Sequence, residues 1–309
     1  MKLSLLRGLL VLCLLFPIAA SAQQPFSDIF VFGDSLSDSG NLAALPRFGF
    51  LNEPPYDQGF SNGDRAVEVL AHDLGLALEP SLHLLGPAAG TNYAIAGARA
   101  RGITPIDLKA QLAAFLLNYG GAAPSDALYI VFIGGNDVRD ARDQPDEVTA
   151  QGIVRDAVGA IGVSVRALIT TGAKAIAIIN VPNIGLIPET RQLGIAGIAA
   201  RATRLTTQFN ALLAASVHQI EAEHSLNLID FNLFQYFSFV INNNIALGFS
   251  NDTAGCYSSA AMMFNAGCAS GANFDQFVFF DEFHPSARMH ERVARALFAV
   301  VPDGINIAP

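Results

Sequence analysis

The sequence predicts an α/β domain built on a mostly parallel central sheet, and three observations carry that prediction. Short apolar runs at residues 29–32, 127–133 and 175–179 lack the polar alternation of a half-exposed strand; strands buried on both faces read this way. Stretches of helical periodicity separate these runs, so strand and helix alternate as parallel strands with crossover helices require. The first two runs each break into glycine and polar side chains, Gly33-Asp34-Ser35 and Gly134-Gly135-Asn136-Asp137. In open α/β sheets, ligands bind beyond the carboxyl ends of the strands.

Taken in order, residues 1–22 carry Lys2 and Arg7, an apolar run over 9–18, and Ala20-Ser21-Ala22 with the small-x-small form of a cleavage site. This is the pattern of a secretory signal peptide, and the run is shorter than the ~18 residues of a membrane span. Residues 23–309 are therefore expected to form one exported domain with no membrane span, secreted or periplasmic. The formal charge of the full chain is -9. Removing the two positive charges of the leader makes the remainder still more acidic, a surface that repels phosphate backbones and argues against nucleic-acid partners. Of the 3 cysteines, Cys256 and Cys268 remain in a compartment where disulfides form. Pairing is the simple reading, two separate small apolar side chains the alternative.

The strand at 29–32 stops at Gly33, which leaves Ser35 on an exposed turn. A Pro- and Gly-rich connection over 45–63 contains Gly59-Phe60-Ser61-Asn62-Gly63, a literal match to the G-x-S-x-G nucleophile elbow. That elbow needs a buried strand just before it, and Pro54-Pro55-Tyr56-Asp57-Gln58 is loop chemistry; Ser61 is expected to be a turn residue. Val67, Leu70, Ala71 and Leu74 share one face of a helix over 65–74. A segment of small residues, 91–98, precedes a helical pattern at 106–118. After the second strand come a long helix (148–171), the third strand stopped by Asn180-Val181-Pro182, a helix over 194–223 and a strand at 226–231. Residues 233–280 loosen into Phe, Asn, Gly and Ser, and are expected to supply the apolar wall or partial lid of a pocket, stapled by the cysteines. Finally, Asp281-Glu282-Phe283-His284-Pro285 leads into a helix over 286–300. Proline disfavours helical geometry in the residue before it, so His284 should sit extended at a helix entrance.

Serine hydrolysis needs a base for the hydroxyl proton, an anion that orients the base, and donors for the developing oxyanion. Asp281 and His284, three apart across a tight turn, can meet side by side. Asn136 follows a strand end as Ser35 does, and Gly97 could bring a backbone N–H to substrate with no side chain in the way. Singly, each has a plainer role: Asp281 as a helix cap, Asn136 as a turn holder, Gly97 as a packing glycine.

Together these blocks resemble the SGNH or GDSL hydrolases: Gly33-Asp34-Ser35-Leu36, the glycine of Asn92-Tyr93-Ala94-Ile95-Ala96-Gly97-Ala98, Gly134-Gly135-Asn136-Asp137, and Asp281-Glu282-Phe283-His284-Pro285. The longer forms Asp38-Ser39-Gly40-Asn41, Phe60-Ser61-Asn62-Gly63 and Asn180-Val181-Pro182 are similar to the lipase-like GDSL subgroup. The resemblance implies a three-layer α/β/α, flavodoxin-like fold with Ser35 as nucleophile, His284 as general base and acid, and Asp281 as its carboxylate. It also implies oxyanion donors from the Ser35 N–H, the Gly97 N–H and the Asn136 amide. No cofactor is expected, and no metal, since metal sites usually draw on several histidines and only His284 sits among these residues. One departure is Ala96, where many relatives have a second glycine. The expected function is a secreted carboxylester hydrolase acting on small-molecule or lipid esters through an acyl-enzyme, with transient contact with lipid surfaces. Acyl transfer to an alcohol by the same residues is the nearest alternative. Metal-dependent phosphoester hydrolysis at Asp34, Asp38, Asn136, Asp137 and Asp281, or silent lipid or glycan binding, would be functions of a different class.

Overall fold

A computed structural model describes residues 26–301; the leader of residues 1–22 lies outside the described residues. The strands of the main sheet are β1 (Ile29–Gly33), β2 (Leu128–Phe132), β3 (Ala175–Ile179) and β4 (Ile229–Phe231), adjacent in that order and parallel throughout. Every residue of β1 and β2 is buried, which is why these strands read as unbroken apolar runs.

On the outer side of β1, residues 91–95 run as an irregular fifth strand. The Val31 N–H donates to the Thr91 carbonyl (3.1 Å), and the Tyr93 N–H donates to the Val31 carbonyl (2.8 Å). Counted with this segment, the order by sequence is 2-1-3-4-5, the flavodoxin-like arrangement. The direction of winding reverses between β1 and β2, and the loops after those two strands diverge there.

The helices are α1 (Ala66–Asp73), α2 (Leu108–Asn118), α3 (Gly135–Arg142), α4 (Glu147–Thr171), α5 (Pro188–Gln192), α6 (Ile198–His224), α7 (Leu233–Asn242) and α8 (Ala287–Phe298). Helix α4 packs against α2, α3 and α6, whereas α1 packs against α8. Right-handed crossovers moving in opposite directions from β1 put the two groups on opposite faces of the sheet. The last helix shows the sequence logic clearly: Met289, His290, Val293, Ala294 and Leu297 are its buried face, and the Ser286 side chain caps its start by accepting from the Met289 N–H.

Two expectations need correction, and one helix was not foreseen. The polar exit from β2 opens α3, whose buried face of Asp137, Val138, Ala141 and Arg142 is too short a pattern to stand out. The strand expected at 226–231 is paired only over Ile229–Phe231. Residues 233–280, expected to be loose, open with α7 and carry β5 (Asn251–Gly255), β6 (Tyr257–Ser258), β7 (Met263–Phe264) and β8 (Phe277–Phe279), with β8 running parallel to β5.

Cys256 and Cys268 are joined by a disulfide with a Cα–Cα distance of 5.2 Å. The bridge packs on Phe277 beside Phe264 and Phe274. Its hairpin is tied to the chain leading into Asp281, because the Cys256 and Tyr257 N–H groups donate to the Phe279 and Phe280 carbonyls. Cys256→Ser with Cys268→Ser should therefore lower stability by about 3 kcal/mol, the entropy of closing a loop of this size in the unfolded chain. A urea midpoint equal to that of the wild type would overturn this expectation.

Candidate active site

The turn after β1 is shaped by Gly33. A Cβ there would lie 2.6 Å from the Phe132 carbonyl, so only glycine lets β1 and β2 stay close where the chain leaves the sheet. Buried Gln111 clasps the same residue from both sides, its Oε1 accepting from the Gly33 N–H (2.9 Å) and its Nε2 donating to the Gly33 carbonyl (2.8 Å). Beyond this clasp, Ser35 reaches the rim. Its Oγ lies 2.9 Å from His284 Nε2.

His284 is held by its own turn. Asp281 is fully buried, and both of its carboxylate oxygens lie 2.8 Å from His284 Nδ1. A carboxylate only accepts, so Nδ1 carries the proton and Nε2 is left as the acceptor facing the Ser35 hydroxyl. Asp281 Oδ1 also accepts from the Phe283 and His284 N–H groups at 2.8 Å each. It therefore organises the turn and does not cap α8, a task that falls to Ser286.

The loop at 59–63, rejected as an elbow, has a different role. Phe60 stacks on the His284 ring with centroids 4.8 Å apart, Ser61 Oγ donates to the Pro285 carbonyl (3.0 Å), and Asn62 Oδ1 accepts from the Ala287 N–H (3.0 Å). Ser61 is fully buried. Three consecutive side chains thus grip the His284 turn from a segment more than 200 residues away, a partnership with no local sequence signal.

Gly97 and Asn136 border the same cavity as Ser35 and His284. Gly97 has φ +86, the left-handed region that glycine enters without strain. The residue before it is pinned by Asp38, whose Oδ2 accepts from the Ala96 N–H (2.8 Å) while Oδ1 accepts from Gly40 and Asn41 within its own loop. Ala96 in place of a second glycine is accommodated there, nearly buried at 5% exposure. Asn92 adds a second lace by donating to the Ser37 carbonyl and Ser39 Oγ, each at 2.7 Å. Asn136 sits in the first turn of α3 and donates one amide proton to the Ala98 carbonyl (2.9 Å). That bond fixes which way the amide faces and leaves a second N–H.

The strand-end acids are committed to backbone N–H groups. Asp137 accepts from Ala100 (2.8 Å) and Arg101 (3.3 Å), and Asp38 and Asp281 have the partners given above. Burial pushes the Asp137 carboxyl up to about 6 and the Asp34 carboxyl up to about 7, the latter against the Leu36 N–H and the charge of His284. These carboxylates organise loops, which explains their number without the phosphoesterase alternative.

The cavity holds about 530 Å³. Its apolar lining includes Leu42, Leu45, Phe48, Phe60 and Ile106. Of the nine phenylalanines in 233–280, only Phe237 and Phe279 line it; Phe277 and Phe280 are buried elsewhere, and Phe239 is exposed. The expectation that this segment supplies wall is met in part: Leu233, Phe237, Ser259 and Phe279 line the cavity, beside Leu42, Leu45, Phe48 and Phe60 from residues 42–60, and the disulfide lies outside the lining. The sequence also did not single out Arg139, which lines the cavity, pairs with Glu189 (3.3 Å) and lies over the Phe283 ring. Its place one helical turn after Asn136 was the available signal.

A parallel sheet with a Ser–His–Asp hydrogen-bond chain at its carboxyl rim, opening into an apolar cavity, is the construction of a serine carboxylester hydrolase. Residues 29–297 match the family model described as GDSL-like Lipase/Acylhydrolase, and the chain belongs to that family. A GDSL esterase/lipase of Arabidopsis thaliana (At2g04570) is 27% identical over 92% of this chain and 95% of its own. Lipase 1 of Photorhabdus luminescens is 30% identical over a region covering 55% of this chain and 24% of its own. Among solved structures, an extracellular lipase from Streptomyces rimosus is similar at 15% identity and a TM-score of 0.43, covering 88% of this chain and 99% of that one.

Proposed function

We propose that the chain hydrolyses carboxylic esters through an acyl-enzyme on Ser35, with His284, Asp281, Gly97 and Asn136 in the roles their chemistry fits. The observation that carries this reading is the unbroken hydrogen-bond chain from Ser35 Oγ to His284 and on to Asp281. Ser35 Oγ attacks the ester carbonyl carbon as His284 Nε2 takes the hydroxyl proton. Asp281 then balances the imidazolium. The carbonyl electrons move onto oxygen, where the N–H groups of Ser35 and Gly97 and the free amide proton of Asn136 receive them. Collapse expels the alcohol, protonated by His284. Water repeats the sequence to release the acid and restore Ser35.

Leu42, Leu45, Phe48, Phe60 and Ile106 favour apolar substrates, including lipid esters presented at a surface. Export to the periplasm or the medium, after removal of 1–22 from a single domain 23–309, is supported by the Lys2-to-Ala22 pattern and is compatible with the disulfide. Among the described residues, no helix is long and apolar enough to cross a membrane.

Asn136→Ala tests the oxyanion assignment. Because the amide acts mainly as negative charge develops, kcat on p-nitrophenyl esters should fall roughly a hundred- to a thousand-fold, about 2.7 to 4 kcal/mol, with KM nearly unchanged. A folded variant with near-normal kcat would remove Asn136 from the hole.

A further inference from the structure

We propose that the buried part of the cavity selects an ester whose inserted limb carries an oxygen acceptor such as an ether, hydroxyl or keto group, and that the His290 Nε2–H is the donor that reads it. The proposal rests on the ester-hydrolase reading of the same cavity and extends it to substrate class.

The most buried part of the cavity wall includes Ala66, Phe237, Phe279, Met289, His290 and Val293, all nearly or wholly buried. Five of the six are apolar. His290 is 3% exposed, and its Nδ1 accepts from the Ala66 N–H at 3.2 Å. That bond settles the tautomer: an atom accepting at Nδ1 is unprotonated, so the neutral ring carries its proton at Nε2. Burial, helped by the nearby charges of Arg65 and His284, pushes the imidazole down to about 3, so it is neutral at ordinary pH.

No described residue accepts from Nε2, and Nε2 is absent from the buried side-chain atoms that are both sealed from solvent and unpartnered. Since the residue has almost no exposure and forms part of the cavity wall, the small area left to it faces the cavity. A donor in an otherwise apolar wall has a definite consequence. An all-carbon limb displaces any water there and leaves the N–H unpaired, whereas an oxygen at the right distance pairs it. Sites that hydrogen-bond a substrate oxygen reject analogues lacking it far more strongly than apolar pockets discriminate by size.

The test measures binding without requiring turnover. Medium-chain dialkyl ketones, in which carbon replaces the ester oxygen, are titrated calorimetrically beside isosteres with one ether oxygen moved along either limb. Oxygen on the limb that stands for the acyl half and oxygen on the limb that stands for the alcohol half are separate arms, so the result also says which half enters. At one position in one arm, the ether should bind wild-type protein about tenfold tighter than the all-carbon ketone. His290→Asn keeps an oxygen to accept from the Ala66 N–H but lacks the Nε2 donor, and should erase that ratio at that position. No improvement at any position in the wild type overturns the proposal whether or not the variant folds, and so does a ratio that survives in His290→Asn. Failure of the ester-hydrolase reading is seen separately, as wild-type protein that turns over no ester or as turnover that persists in Ser35→Ala, and leaves the ketone titration readable.

Discussion

Ser35→Ala is expected to lower kcat on p-nitrophenyl esters about a million-fold and to abolish covalent labelling by a fluorophosphonate. The magnitude is that of deleting a nucleophile whose partners act only through it. With Oγ removed, His284 Nε2 has no hydroxyl 2.9 Å away to deprotonate, and the oxyanion donors can stabilise only the slow attack of water. Alanine suits a half-exposed turn position, and Asp34 still holds the turn by accepting from the Leu36 N–H, so the fold should survive. Ser61→Ala is the matched control. Ser61 loses one hydrogen bond to the Pro285 carbonyl, about 1 kcal/mol, and labelling at Ser35 should persist. Label found on Ser61, or activity retained in Ser35→Ala, would falsify the assignment.

The second large effect is expected at Asp281. In Asp281→Asn the amide can still accept at its oxygen, but its nitrogen donates, and a ring nitrogen facing that donor must be unprotonated. His284 is then drawn to the tautomer with its proton at Nε2, where it occupies the lone pair that must accept from Ser35. The imidazolium also loses its counter-charge in a fully buried position. A loss in kcat of about ten-thousand-fold follows from these two effects. Circular dichroism should show retained folding, because the Asn oxygen can go on accepting from the Phe283 and His284 N–H groups, both now bonded to Oδ1. Unchanged kcat would reduce Asp281 to a turn former.

How much of this site was legible beforehand depends on the range of each interaction. Asp281 and His284 could be paired from sequence because three residues across a proline-terminated turn leave little choice of geometry. Ser35 and Asn136 could be placed at one rim because both follow buried parallel strands. The grip of Phe60, Ser61 and Asn62 on the His284 turn could not be read, since nothing local distinguishes a turn that packs on a distant helix entrance from one exposed to water. His290 was likewise hidden. As one residue on the buried face of α8 it has the spacing of a core position, and only the approach of α1, with the Ala66 N–H at its Nδ1, exposes its unused proton.

What the sequence by itself determined is the layer architecture, the choice of Ser35, His284 and Asp281 as the proposed reacting groups, and their order along the chain. These follow from burial periodicity, from glycine and proline at strand and helix ends, and from the chemistry of Ser, His and Asp side chains. The tertiary structure decided which surfaces enclose the substrate. The wall draws on residues 42–60 as well as on 233–280, and takes only Phe237 and Phe279 of the latter's nine phenylalanines, because an apolar side chain is stabilised equally by a closed core and by a cavity wall, and composition does not distinguish the two. Only the crossing of α1 and α8 and the reversal of winding between β1 and β2 determine where an empty volume is left beside Ser35.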